Sequence, residues 1–100
     1  MPTVVVLAGN SDNRLTQLYW TKMIADISAK VGIRAYENHF VGFASPESRW
    51  QNACWVSEIS DHDLERLIIA LRETTLLFKQ DSIAIIVGET EFISWEKGRD

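Results

Sequence analysis

At 100 residues and 11.4 kDa the chain has the length of one ordinary domain and not of two. Apolar residues at 46% and charged residues at 24% exclude the disordered, collagen-like and low-complexity classes. A formal net charge of −4 supplies no broad positive field for phosphate backbones, which disfavours nucleic acid as a partner.

The single Cys54 rules out a disulfide within the chain, and no Cys/His cluster has zinc-ligand spacing. A cytoplasmic location is the resulting expectation. The opening apolar run Val4 to Ala8 follows no basic segment and is far shorter than a membrane span, so neither an export signal nor a membrane helix is expected. Area scaling gives about 5,800 Å² exposed in a folded chain of this mass against roughly 16,500 Å² unfolded, enough burial for a modest core without covalent staples.

In chain order, Thr3 to Ala8 (TVVVLA) is β-branched and apolar on both alternating faces, the pattern of a strand covered on both sides. Gly9 and Asn10 break it, and Ser11 or Asp12 is placed to cap a helix over 13–31. Its apolar positions are Leu15, Leu18, Tyr19, Met23, Ile24, Ile27 and Val31, with Gly32 as the stop. Residues 34–43 (RAYENHFVGF) read as a second strand, in which Glu37, Asn38 and His39 interrupt the alternation.

Ser45 to Ser48 form a turn-rich connection, and Trp50 to Ile59 read as a third strand. Ser60 followed by Asp63 has helix-cap spacing, with Asp61, Asp63 and Glu65 where the helix dipole favours negative charge. Leu64, Leu67, Ile68, Leu71, Thr75 and Phe78 line one face of that helix. Asp81 and Ser82 turn the chain into Ile83 to Val87 (IAIIV), a second buried-strand pattern, and a polar tail carrying Phe92, Ile93 and Trp95 follows.

The order is two tandem βαβ units, 1–45 and 49–100, within a single α+β domain: a four-stranded sheet with both helices on one face. Two arrangements fit. A ferredoxin-like fold interleaves the strands of the units, and a tautomerase-like fold keeps each unit's parallel strands adjacent. Either leaves one sheet face bare although its strands are apolar on both sides, so association with further copies of the chain is expected, with Phe92, Ile93 and Trp95 as contact residues.

The opening MPTVVVLAGNSD followed by a capped amphipathic helix resembles the start of the tautomerase superfamily, which includes 4-oxalocrotonate tautomerase and macrophage migration inhibitory factor. The tail GETEFISWEKG is similar to that of an uncharacterised tautomerase-like branch. The resemblance implies a homotrimer in which Pro2, exposed by removal of Met1, is the catalytic base for keto–enol isomerisation of a small carbonyl acid, with no cofactor. A free amine held neutral by apolar walls accepts a proton, and the enolate oxygen needs a donor placed beforehand.

Arg34 and Arg49 are the substrate-binding candidates, with Arg14 and His39 as further donors. The sequence departs from the superfamily at Asn10, where an arginine is common. Each candidate also has a structural reading: Pro2 as a strand leader, the arginines as solvated or ion-paired surface, His39 as a hydrogen-bonded strand residue, Cys54 as a buried inert thiol, and the four tryptophans as core or interface. No metal site is expected, and the runner-up function is a non-enzymatic ferredoxin-like module that oligomerises or binds a small ligand.

Overall fold

The computed structural model describes residues 1–44 and 51–95. The elements are β1 (Thr3–Gly9), a short 3₁₀ turn (Ser11–Asn13), α1 (Gln17–Gly32), β2 (Glu37–Phe43), β3 (Asn52–Glu58), α2 (Asp61–Leu77) and β4 (Ala84–Gly88). They form a four-stranded sheet ordered β2-β3-β1-β4, in which every neighbouring pair is antiparallel. The third strand lies between the first and the second, so of the two expected arrangements the interleaved, ferredoxin-like one is adopted. No adjacent parallel pair occurs among the described strands.

Both helices cover one face. Val4, Val6 and Ala8 of β1 and Ala53 and Trp55 of β3 point into the core, where they meet Met23, Ile27 and Val31 of α1 and Leu67 and Leu71 of α2. The period of two along the strands and the helical spacing of these positions produce the layer directly. Trp55 is 1% exposed, and its indole Nε1 donates to Ser28 Oγ at 3.0 Å, so the largest core side chain buries no unpaired polar atom. Between the helices, Lys30 Nζ lies 2.9 Å from Asp26 Oδ2 and donates to the buried Thr74 Oγ1 at 2.7 Å, and that hydroxyl donates to Asp26 Oδ2.

The first helix begins later than its periodicity suggests, and Asn10 is the cause. Its buried side chain donates from Nδ2 to Leu15 O at 2.9 Å and to Gln51 Oε1 at 2.7 Å, while its Oδ1 accepts from Leu15 N at 3.0 Å. Asp12 and Asn13 sit in left-handed backbone at φ 52° and 53°, which no continuing right-handed helix allows. Thr16 therefore supplies the cap, accepting from Tyr19 N. Ser60 caps α2 as expected, accepting from Asp63 N at 3.2 Å and donating its hydroxyl proton to Asp63 Oδ2 at 3.0 Å.

Candidate functional site

Pro2 is half-buried at the leading end of β1, and its carbonyl accepts from Ile59 N at 3.2 Å. Met1 in front of it is 62% exposed. Tyr36 N donates to Glu58 O at 2.8 Å, so the loop after α1 reaches the same end of the sheet and brings Arg34 into that neighbourhood. The Arg34 guanidinium is turned back, however, donating to Lys30 O at 2.9 Å, where it satisfies a helix-end carbonyl and complements the dipole. Arg49 lies outside the described residues, as do Trp50 and the expected turn at 45–48.

Arg14 is at the opposite end of β1. It donates to Lys79 O at 2.8 Å and pairs with Asp12 at 3.2 Å and Asp81 at 3.0 Å. Ser11 N donates to Gln80 Oε1 at 2.8 Å, so the Ser11–Arg14 turn is sewn to the connection between α2 and β4. An open cleft of about 690 Å³ lies beside these loops, lined by residues 7–12 and 51–53 with Ser82 and Ala84. Its polar groups are amides and hydroxyls, with Asp12 as the one carboxylate. It is thus equipped for hydrogen bonding rather than for acid–base chemistry, and Pro2 is not in its wall.

The remaining feature is the bare face of the sheet. Register aligns Phe40, Val56, Val5 and Ile86 across all four strands, and Gly42, Cys54, Leu7 and Ala84 form the row beside them. Phe40 is 56% and Ile86 55% exposed. The Phe40 ring occupies the space where a Cβ at position 42 would stand, so Gly42 lets the ring lie flat on the sheet. Cys54, expected to be a buried thiol, is half-buried on this face instead, because its strand alternates Ala53 and Trp55 inward.

The third row is polar: Glu37, Glu58, Thr3 and Gly88. The Thr3 hydroxyl is hydrogen-bonded to that of Thr90, which ties the start of the tail to this end of the sheet. Beyond it Phe92 is 74% exposed and Ile93 and Trp95 are each 91% exposed. Trp20 and Trp55, by contrast, are core residues.

A register shift between Asn38 and Phe40 puts His39 in a β-bulge, with its Nε2 3.9 Å from Glu58 Oε2. The interrupted alternation at 37–39 was the sequence signal for that bulge, although it does not say which face the imidazole takes. Among the described residues no helix is long and apolar enough to cross a membrane. No protein-family model matches the chain, and no curated protein matches it.

Proposed function

We propose that the chain is a non-enzymatic ferredoxin-like module whose working form is a pair of copies joined through the open sheet face. The observation that carries this reading is the aligned apolar row Phe40, Val56, Val5 and Ile86, with Leu7 beside it, over which none of the described elements packs. A standard interface takes about 800 Å² from each partner. Four strands of this length present a flat area of roughly 440 Å² from strand spacing and rise, and the exposed tail aromatics add about 150–250 Å² each.

A single flat face covered by its own duplicate gives a closed two-fold assembly. Charge selects the orientation. Glu37 and Glu58 crowd one end of the face, and each copy carries a net charge of −4. A two-fold axis running across the strands sets the acidic end of one copy over the opposite end of the other, where the last cross-strand pair, Gly9 and Asn52, carries no charge, whereas an axis along the strands would stack the acidic ends. The lone Cys54 thiol suits a reducing, cytoplasmic setting for such a pair.

The competing reading, a tautomerase with Pro2 as base and Arg34 or Arg49 gripping a carbonyl acid, rests on the resemblance and on Met1 removal. The two are separated by measuring ketonisation of phenylenolpyruvate with protein lacking Met1. The module reading expects the uncatalysed rate, and an acceleration abolished by Pro2→Ala would replace it with the enzyme. The pairing itself is tested by sedimentation of Ile86→Lys beside Leu76→Lys, a lysine on the exposed surface of α2. Only the first should dissociate the pair.

A further inference from the structure

We propose that Glu37, His39 and Glu58 form a binding site for one divalent transition-metal ion of the zinc and manganese class at the rim of the open sheet face. Their ligand atoms all lie within 4.8 Å of one another. The backbone places them deliberately close: Glu37 and Glu58 are direct cross-strand partners, and the bulge after Asn38 adds the residue that carries the imidazole to the same side.

Two carboxylates facing each other across a strand pair repel, and a protein normally relieves this with a lysine or arginine. None pairs with Glu37 or Glu58 among the described residues, where the nearest basic nitrogen is that of the His39 imidazole, 3.9 Å from Glu58 Oε2. The side chains of His39 and Glu58 are only 25% and 26% exposed, so this negative potential is partly withdrawn from water and less screened than a surface pair. A divalent cation neutralises both carboxylates at once, and the imidazole nitrogen adds the borderline donor that favours a transition metal over calcium or magnesium.

The dimensions suit the ion. Zinc holds imidazole nitrogen and carboxylate oxygen at about 2.0–2.2 Å, which puts tetrahedral donors roughly 3.4 Å apart. Drawing the three atoms in from 4.8 Å is a shift of about 1.4 Å, within the reach of side-chain rotation. Three protein donors leave a fourth position open to water or to an oxygen ligand, the arrangement of an open rather than a purely structural site.

This inference does not depend on pairing, since all three donors belong to one chain. It is tested by calorimetric titration of the full chain with Zn²⁺ and by absorption of the Co²⁺ form. One Zn²⁺ per chain is expected, with affinity lowered at least about tenfold in Glu37→Gln and in His39→Ala, since even outer-shell changes cost about 10–100-fold. Ile86→Lys, His62→Ala and Cys54→Ser should bind as the parent does, and the Co²⁺ spectrum should lack a thiolate charge-transfer band. Absence of stoichiometric binding, unchanged affinity in both Glu37→Gln and His39→Ala, a thiolate band, or loss on Cys54→Ser would overturn the site. Glu37 is an exposed strand position, and Glu37→Gln preserves shape, so a loss there reports ligation rather than unfolding.

Discussion

Replacing Ile86 with lysine separates the stability of one copy from the strength of the pair. Ile86 is on the edge strand β4, opposite Val5, and 55% of its surface is exposed in the single chain. Complete burial of an isoleucine side chain contributes about 1.5–3 kcal/mol, so covering the exposed part is worth roughly 1–1.5 kcal/mol. A two-fold pair contains two such residues. Losing both removes about 2–3 kcal/mol, a rise in Kd of about 30- to 140-fold, before any penalty for drawing two ammonium groups toward an apolar face.

Within one copy the lysine stem still covers the neighbouring sheet and its charge stays in water, so the monomer should change by no more than about 0.5 kcal/mol. Sedimentation velocity over a concentration series reads the first quantity, and urea denaturation of the dissociated chain reads the second. An unchanged Kd in Ile86→Lys, especially with dissociation in Leu76→Lys, would refute the reasoning and move the interface to the helix side.

Other expectations concern the scaffold. Asn10→Ala removes three side-chain hydrogen bonds at a site 6% exposed and leaves half-buried backbone groups of Leu15 without their partner, so denaturant unfolding should show a loss of about 1–3 kcal/mol. A loss below about 0.5 kcal/mol would mean that Asn10 does not fix the late start of α1. Lys79 closes α2 with φ at 53°, a conformation that costs a non-glycine residue about 1–2 kcal/mol. Lys79→Gly keeps the carbonyl that Arg14 uses and should therefore stabilise by roughly 0.5–1 kcal/mol after the added unfolded-state entropy of glycine. Destabilisation would indicate that the lysine side chain itself holds the turn.

Much of the architecture was legible in the residues. The apolar run of β1 and the spacing of Met23, Ile27 and Val31 placed the two-layer core, because burial follows periodicity whatever the strand order, although β1, apolar on both faces, did not say which face the helices cover. Ser60 and Asp63 marked the start of α2 through a local interaction that needs no tertiary context. Helix α1 was harder: Ser11 and Asp12 are good caps by type, but the reciprocal bonds of Asn10 to Leu15 and its bond to Gln51, 41 residues away, consume that segment in a turn. The second strand was similarly read from residue 34, whereas pairing begins at Glu37.

Strand order was not legible. The adjacent and interleaved arrangements share one sequence of elements and one buried pattern, and they differ only in which edge each crossover reaches. The functional candidates divided along the same line. Pro2 was notable for its position in the chain and a bare sheet face followed from the element order, whereas the Glu37, His39 and Glu58 group emerges only when register brings β3 and the bulged β2 side by side.

The central claim, that a second copy covers the open face, is tested most directly by the solution mass of the unmodified chain from light scattering at micromolar concentration. The account expects about 23 kDa, twice the 11.4 kDa of one copy, falling toward the single-copy value on dilution. A mass of one copy at every concentration would contradict it, and a stable mass of three copies would return the assembly to the tautomerase pattern.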